Sequence, residues 1–396
     1  MAARIIIAGG GIVGRTIAVA LAAQSHIAVT LLAGPARGAD ERSSAVAAAG
    51  RKLFIRLGIW PGIATCAQPI EAMTITDSAA DDVIRHEALS FAGETGPNAF
   101  AHMIPNGALA DALKARCAEL GIDERPLSAV FFDEDATGID CRLSDGTNVR
   151  GEALIAADGR ASRLRAIAGI EVVEKRYDQF GIVGTVAHTE PHEGRAVQHF
   201  LPNGPFAMLP LTGNRSSIVW TERPAFARSL EVMDPAMAAL EIERVFGLLL
   251  GRITVESPLQ AYPLSMMLAR AYAAGRVALA GDAAHVIHPL AGQGLNLGLR
   301  DAATLAEVLV DAHRCGEDLE LALPRYARRR RGDVTEMALF TDRMNAIFSR
   351  RSDLLRAVRS VGLGLIDQRA GLKNLFVSEA AGTKGEVPRL MRGEAI

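Results

Sequence analysis

This chain of 396 residues contains few cysteines and few aromatic residues, and its positive and negative charges nearly balance. Its four cysteines form no Cys-x-x-Cys pair, so no disulfide framework or zinc ribbon is predicted, and buried thiols in a reducing compartment are expected. With 43 Lys and Arg against 45 Asp and Glu, the net charge is −2, and the basic excess that a nucleic-acid partner requires is missing. We therefore expect an ordinary globular protein that does not bind nucleic acid.

A long uninterrupted hydrophobic run is also missing. The most apolar stretch, residues 5–23, contains four glycines and Arg15, and it has neither a charged leader nor a clear cleavage site. A membrane-spanning helix needs about 20 mostly apolar residues. A strand, a turn and a helix explain this stretch better, so the protein is predicted to be cytosolic or peripheral to a membrane.

The first 32 residues have the pattern of a βαβ unit with parallel strands. Arg4–Ala8 is a short apolar run typical of a buried strand, Gly9–Gly14 predicts a turn, and Arg15–Gln24 has helical periodicity. Ile27–Leu32 is a second apolar strand.

Two later regions, Pro69–Phe100 and Tyr177–Pro263, consist mainly of predicted strands. Buried apolar strands return at Ala153–Ala157 and Arg276–Ala280, so the chain is predicted to leave the α/β unit twice and to return each time. The other predicted helices are Ser44–Leu57, Ala108–Leu120, Met233–Phe246 and one from Gly294 to about His313.

The turn after the first strand has the pattern Gly-x-Gly-x-x-Gly. Gly9 allows a tight turn, Gly11 lets the backbone approach a pyrophosphate, and Gly14 allows close packing of helix against strand. The pyrophosphate then lies at the positive end of the helix dipole. The pattern favours a dinucleotide site.

The second strand departs from this pattern at its end. Ala33 stands where such units usually have an Asp or Glu that binds the adenosine ribose. Either Asp40 or Glu41 on the following loop takes over this role, or the ribose is held more loosely. Since a hydrogen bond to a charged group contributes about 1.5–3 kcal/mol, looser binding would weaken cofactor affinity roughly ten- to a hundredfold.

A second pair of motifs points to a flavin. Gly281-Asp282 ends a strand, as does the Gly-Asp of flavoproteins whose Asp binds ribityl or ribose hydroxyls. Gly292, Gln293 and Gly294 then lead directly into a helix whose free amides can face an anion. Reduced flavin is such an anion at N1–C2=O, and a helix start there would stabilise it.

The run from Gly281 to Asp301 resembles the signature of the UbiH/COQ6 family of ubiquinone-biosynthesis monooxygenases, which are flavoprotein hydroxylases with the p-hydroxybenzoate hydroxylase fold. Asp158-Gly159 resembles that superfamily's second motif, which is tied to FAD and NAD(P)H. Arg42 and Asn106 lie in segments that resemble cofactor-contacting segments of the family. With the glycines of the first motif, the residues assigned to FAD are Arg42, Asn106, Asp158, Gly159, Gly281, Asp282, Pro289, Gly292, Gln293, Gly294, Leu295 and Asn296.

The resemblance implies an α/β fold, in which a strand-rich substrate domain is inserted into a Rossmann-like FAD-binding domain and helices follow at the C-terminus. The FAD-binding domain is predicted in three parts and the substrate domain in two. The predicted order is 1–68 FAD-binding, 69–103 substrate, 104–172 FAD-binding, 173–265 substrate, 266–335 FAD-binding and 336–396 C-terminal helices.

The resemblance also implies an activity, namely hydroxylation of the aromatic ring of a polyprenylated phenol in ubiquinone biosynthesis. The reaction would use O2 and NAD(P)H or another electron donor, and it would pass through a flavin C4a-hydroperoxide. Pro289 and His285 are expected to line the flavin and substrate face, while no catalytic base is identifiable. His285 and His288 could also be packing residues, and no third ligand supports a metal site.

The implied substrate lives in a membrane, and the C-terminal region has a matching feature. Arg350, Arg351, Arg356 and Arg359 alternate with leucines and valines, a pattern that fits either a surface helix on anionic lipid or a helix packed on its own domain. Contact with other quinone-biosynthesis proteins is a third option. The expected location is cytoplasmic, either free or in peripheral contact with the inner membrane.

Three rival functions share parts of this pattern. The same machinery could hydroxylate a small soluble aromatic compound. A flavin-dependent halogenase or a prenyl reductase is a second rival, although the Trp-x-Trp-x-Ile-Pro signature of halogenases is absent. A non-catalytic member that binds quinone precursors is the third, and Ala33 keeps it open.

Overall fold

The computed structural model describes residues 4–25, 27–35, 38, 40–77, 87–92, 99–348 and 381–396. Its strands, in chain order, are β1 Arg4–Ala8, β2 Ala28–Leu32, β3 Ser43–Ala47, β4 Gln68–Ile70, β5 Ala72–Asp77, β6 Glu87–Ala92, β7 Ala101–Pro105, β8 Asp123–Arg125, β9 Ala129–Asp135, β10 Gly138–Leu143, β11 Asn148–Gly151, β12 Ala153–Ala156, β13 Val172–His188, β14 Arg195–Leu201, β15 Gly204–Leu211, β16 Arg215–Glu222, β17 Ile253–Val255, β18 Gln260–Ala269, β19 Ala273–Ala274, β20 Val277–Leu279 and β21 His285–Val286.

The described α-helices follow the same chain order. They are α1 Ile12–Gln24, α2 Ala48–Arg56, α3 Asn106–Glu119, α4 Arg163–Ile167, α5 Pro224–Glu231, α6 Pro235–Phe246, α7 Gln293–Arg314, α8 Leu319–Phe348 and α9 Arg389–Arg392.

A six-stranded sheet with the order β19-β20-β12-β1-β2-β8 forms the centre of the α/β part. Its inner strands are parallel, and β1 pairs with both β2 and β12. Ile5, Ile6 and Ile7 in β1 are fully buried, as expected for a parallel sheet covered on both faces. The predicted βαβ unit at the start of the chain is confirmed.

A second, larger sheet of nine strands has the order β21-β18-β13-β16-β15-β14-β5-β6, with β17 paired to β13. Its strands alternate between two environments. In β16, Ile218 and Trp220 point into an apolar core with α5 and α6. The intervening Ser217, Val219 and Thr221 line a cavity on the opposite side of the sheet. This sheet therefore has one face packed on an apolar core and one face that lines a cavity.

The helix predicted at Ser44–Leu57 is wrong in its first part. Ser43–Ala47 forms β3, which pairs antiparallel with β7, and only Ala48–Arg56 is helical. The prediction at Met233–Phe246 missed α5, which begins at Pro224, a favourable residue at a helix start. The first difference arises because β3 depends on pairing with the distant β7, whereas the second concerns a helix whose local start signal, Pro224, was not recognised.

Other predictions concern the cysteines and the C-terminus. Cys117 and Cys141 are buried as expected, whereas Cys315 is exposed, which corrects the expectation for that thiol. The proposed amphipathic surface helix at 350–365 lies outside the described residues. Within the part of the chain that the structure describes, no helix has the length and apolar character needed to cross a bilayer.

Candidate active site

One large cavity, of 1240 Å³, extends from the glycine turn after β1 to the inner face of the nine-stranded sheet. Every residue that the sequence assigned to the cofactor contributes to its wall. These residues come from segments far apart in the chain, and the two sheets bring them together. The cavity is mostly apolar in its strand-rich half and mixed in its α/β half.

The glycine turn has the geometry that a pyrophosphate requires. A Cβ atom at Gly14 would lie 2.0 Å from the carbonyl oxygen of Gly9, so only glycine fits where α1 crosses β1. A Cβ atom at Gly11 would meet no described atom within 4 Å, because this position faces the cavity. Gly11 also precedes α1, which has no side-chain cap among the described residues, so its first amides remain available to an anion.

The wall next to this turn contains an unsatisfied acceptor. Oδ2 of Asp158 accepts a hydrogen bond from the backbone N–H of Arg163 at 3.1 Å. Its Oδ1 is buried and has no hydrogen-bond partner among the described residues. A buried unpaired oxygen is costly, and a ligand donor such as a hydroxyl would satisfy it. Together with open Gly11, this oxygen shows that the site fits a dinucleotide cofactor.

Arg42 and Asn106 are joined through Asp40. Nε and Nη2 of Arg42 each lie 2.7 Å from one oxygen of the Asp40 carboxylate, and Nδ2 of Asn106 donates to Asp40 at 3.0 Å. Despite its partial burial, Asp40 has a pKa below its usual range because of Arg42 and Asn106. The Arg42 guanidinium also lies 5.9 Å from the ring centroid of Tyr262 in β18. Arg42 thus connects the α/β part to the strand-rich part at the cavity.

The start of α7 forms another part of the wall. Gly292 has φ 62°, a left-handed conformation, and no described side chain caps the helix. Asn296 fixes the helix to β3, since its Oδ1 accepts from the N–H of Ala47 and its Nδ2 donates to the carbonyl of Ala45. The Asn296 side chain is therefore used within the protein. The free amides at this end are suited to negative charge.

His285 does not line the cavity, which corrects the expectation for this residue. Its ring is buried, and Nε2 lies 2.6 Å from Oδ2 of Asp301, a fully buried carboxylate in α7. The other oxygen of Asp301 accepts from Nε of Arg330 at 2.7 Å. Pro289, in contrast, lies in the cavity wall. His285 supports the loop from within the protein, and Pro289 faces the cavity.

His288 is also buried, and its ring packs edge-on against Tyr177 at 5.2 Å between centroids. Burial lowers the pKa of His288 to about 4, so this ring is neutral at physiological pH. The two histidines point to different partners. Among the described residues there is no group of three side chains that could hold a metal ion.

The strand-rich half of the cavity is lined by small or apolar side chains with few polar ones. Ala196, Ala207 and Val219 form part of this wall, and Gln198 and Thr221 supply polar groups. Sequence reasoning missed Gln198 and Thr221. The only signal was a polar residue within a partly apolar strand, which is equally typical of a residue on an exposed face.

Comparison with known proteins places this arrangement in a family. Residues 2–341 match the family model described as FAD binding domain. The chain is 38% identical to ubiquinone hydroxylase UbiL from Rhodospirillum rubrum, with 99% of this chain and 93% of that protein covered. It is 35% identical to 3-demethoxyubiquinol 3-hydroxylase from Escherichia coli, with 96% and 98% covered.

The fold also resembles solved structures. The p-nitrophenol 4-monooxygenase PnpA from Pseudomonas putida superposes with a TM-score of 0.80, covering 98% of this chain and 99% of that one. Its sequence identity is 18%, so this likeness concerns the fold alone. The predicted fold class, with a p-hydroxybenzoate hydroxylase-like architecture, is confirmed.

Proposed function

Because this chain belongs to the family of FAD-dependent monooxygenases that includes the ubiquinone hydroxylases, we propose that it hydroxylates the aromatic ring of a polyprenylated phenol in ubiquinone biosynthesis. The observation that carries the proposal is the single cavity that joins the glycine turn to the inner face of the nine-stranded sheet. A cofactor on one side and a substrate on the other can meet there without passing through solvent.

We propose that FAD occupies the α/β half of this cavity. The amides at the start of α1, preceded by Gly11, would bind the pyrophosphate, and Asp158 with Asp282 would accept from hydroxyl groups of the cofactor. The amides at the start of α7, near Gly294, would face the electron-rich edge of the flavin ring. When bound, FAD supplies reactive oxygen from O2, with NAD(P)H as the usual source of electrons in this family.

The protein's own contribution is binding, orientation and exclusion of water. Apolar side chains such as Val219, Leu209 and Leu290 line the strand-rich half of the cavity. Because they exclude water, they would limit unproductive loss of the reactive oxygen. Gln198 and Thr221 stand among these apolar residues, where they can orient the hydroxyl of a phenol. The small side chains Ala196 and Ala207 leave room for a bulky substrate.

We propose that the segments 69–103 and 173–265 form the substrate domain and that the intervening parts form the FAD-binding domain. The nine-stranded sheet supports this division, since most of its strands come from these two segments. The tail segment 336–396 would complete the molecule, and its described part includes the end of α8 and the short α9.

A prenylated substrate is dissolved in a membrane, and we propose that the protein contacts the inner membrane peripherally. Leu248 and Leu249 follow α6 and are 69% and 59% exposed, and Met237 and Leu240 on the same helix are more than half exposed. An exposed apolar group of this kind is suited to the lipid interface. Other quinone-biosynthesis proteins could meet the same surface.

The experiment is single-turnover hydroxylation with the purified FAD-loaded protein, NAD(P)H and ¹⁸O₂. A prenylated phenol is expected to gain one ¹⁸O atom on its ring, as seen by mass spectrometry. A small soluble phenol without the tail serves as the matched comparison. Faster hydroxylation of the short phenol would favour a soluble aromatic substrate, and no oxygen transfer to either compound would contradict the monooxygenase assignment.

A further inference from the structure

Position 33 lacks the carboxylate that commonly binds the adenosine ribose in a dinucleotide site, and the structure shows how the candidates near it are used. Asp40 has no free acceptor site. Its Oδ1 accepts from the N–H and Nε of Arg42, and its Oδ2 accepts from Nη2 of Arg42 and Nδ2 of Asn106. A carboxylate offers about four such sites, so Asp40 is saturated by the protein.

Glu41 lies at the edge of the cavity. It lines the cavity and also contributes to a neighbouring pocket together with Arg215 and Glu256, both from the strand-rich part. This pocket is at the substrate-domain side of the cavity, whereas Ala33 follows β2 in the six-stranded sheet. Of the two acids that the sequence suggested, Asp40 is used within the protein, and Glu41 lies where the cavity meets this pocket of the strand-rich part.

Glu124 in β8 lies on the same side of the sheet as Ala33. In the parallel pair of β2 and β8, Leu31 is registered with Glu124, and the side chains of registered residues share a face. Residue 33 returns to that face two positions later, and its N–H continues the ladder by donating to the carbonyl of Arg125 at 2.8 Å. Both Ala33 and Glu124 line the cavity.

Arg15 holds the Glu124 carboxylate in place. Its Nη1 and Nη2 lie 2.6 and 2.7 Å from the two oxygens of Glu124, and its Nε donates to the carbonyl of Gly10 at 2.9 Å. Gly10 is in turn packed against Ala33, since a Cβ atom at Gly10 would lie 2.7 Å from that of Ala33. The guanidinium uses one site on each oxygen and leaves the others available.

We propose that Glu124, oriented by Arg15, is the carboxylate that binds the adenosine ribose of FAD in place of a carboxylate at position 33. The assignment rests on the proposed binding of FAD in this cavity. Hydrogen bonding to Arg15 holds the pKa of Glu124 below its usual range, so the group is an acceptor at neutral pH. Two-point contact with a buried arginine also fixes its direction before the cofactor arrives.

The test is a thermodynamic cycle in which one change removes the carboxylate of Glu124 and the other removes a ribose hydroxyl of FAD. Affinities are measured by flavin fluorescence for FAD and for analogues that lack the 2′- or 3′-hydroxyl of the adenosine ribose. The wild-type chain is expected to bind at least one analogue roughly tenfold or more weakly than FAD, and E124Q is expected to bind FAD roughly ten- to a hundredfold more weakly than wild type. In E124Q the penalty for the missing hydroxyl should disappear.

Two matched variants separate this role from others. Asp111→Asn removes another carboxylate that lines the cavity, on the exposed side of α3, and Asp123→Asn changes the neighbouring residue of β8, whose carboxylate bonds to Thr30 and Arg125. Both variants should keep wild-type affinity for FAD. A deoxyribose penalty that persists in E124Q, or that is lost in D111N instead, would overturn the proposal.

The binding of FAD and its deoxy analogues by the wild-type chain tests the proposal even when E124Q is unstable. Equal binding of FAD and both deoxy analogues by the wild-type chain overturns the role of Glu124 without any variant. No binding of FAD at all contradicts the proposed function itself, and this result is distinct from normal FAD binding without a ribose contribution.

Discussion

The carboxylate of Asp301 joins His285 to Arg330 in the interior of the protein, with Nε2 of His285 and Nε of Arg330 at 2.6 and 2.7 Å from its two oxygens. Burial by itself would raise the pKa of Asp301, but His285 and Arg330 lower it below the usual range. Oδ2 of Asp301 also accepts from the N–H of Gly281 at 2.9 Å. One buried anion thus fixes the Gly281-Asp282 turn to α7 and α8.

Asp301→Asn is expected to destabilise the fold by about 3 kcal/mol, because it leaves the buried guanidinium of Arg330 without its main counter-charge. The measurement is the free energy of unfolding in urea. Asp311→Asn is the control, since Asp311 pairs with Arg389 in a partly exposed position and should cost less than about 1 kcal/mol. An equal decrease in the free energy of unfolding in both variants would contradict the conclusion that the buried carboxylate of Asp301 is important for stability.

Gly11→Ala and Gly14→Ala are expected to impair different properties, namely FAD binding and the stability of the fold. At Gly14 the new methyl group collides with the Gly9 carbonyl, so the apoprotein should have a lower melting temperature. At Gly11 the methyl group points into the cavity, so the apoprotein should be unchanged while FAD affinity falls by about tenfold or more. Thermal unfolding without FAD and fluorescence titration with FAD measure the two effects. Normal FAD binding by G11A would argue against a pyrophosphate at this turn.

Gln198→Leu tests the substrate half of the cavity. Removal of one hydrogen-bonding group should raise the KM for the phenol about three- to tenfold, because such a bond contributes roughly 0.5–1.5 kcal/mol. FAD affinity should not change. Gln24→Leu at the far end of α1 serves as the control. A loss of FAD affinity with an unchanged KM would place Gln198 on the cofactor instead.

The stability of the fold should depend on pH through two buried histidines. Burial lowers the pKa of His288 to about 4, and burial with the nearby charge of Arg51 lowers the pKa of His102 to about 4. An unfolded histidine titrates near pH 6.5, so the unfolded state takes up protons first as the pH falls. The stability provided by the neutral rings is complete above about pH 6.5 and is lost progressively toward pH 4.

Each ring would contribute up to about 3 kcal/mol over this interval, since one pKa unit corresponds to about 1.4 kcal/mol. The measurement is urea unfolding at several pH values between 7 and 4. His288→Gln does not titrate in this range, so its stability should fall less steeply with decreasing pH than that of the wild type. Parallel curves for the two proteins would show that the pKa of His288 does not differ between the folded and unfolded states, and would contradict the lowered pKa.

The sequence predicts local features of this molecule well. The glycine turn with its flanking strand and helix depends on residues within one short segment, and the structure contains all three elements. β3 was mistaken for helix because its strand conformation depends on β7, whose Ala101–Pro105 lies far along the chain. Periodicity within a segment does not contain that information.

The site residues also divide into those that a local motif identifies and those whose position depends on a distant partner. Glycine and Asp-Gly motifs are recognisable alone, but the direction of a side chain depends on its partner. His285 was expected to line the flavin and substrate face, yet its ring is turned inward to the buried Asp301 in α7. The pairing of Arg15 with Glu124 spans 109 positions, so neither residue could be assigned from its neighbours.

The alternation along β16 also has a practical meaning for anyone who wishes to redirect this protein toward new compounds. Ser217, Val219 and Thr221 can be exchanged as a set, because Ile218 and Trp220 anchor the same strand from behind. A library confined to the odd-numbered positions would reshape the pocket and spare the hydrophobic anchor, so most of its members should still be recovered as folded, yellow protein.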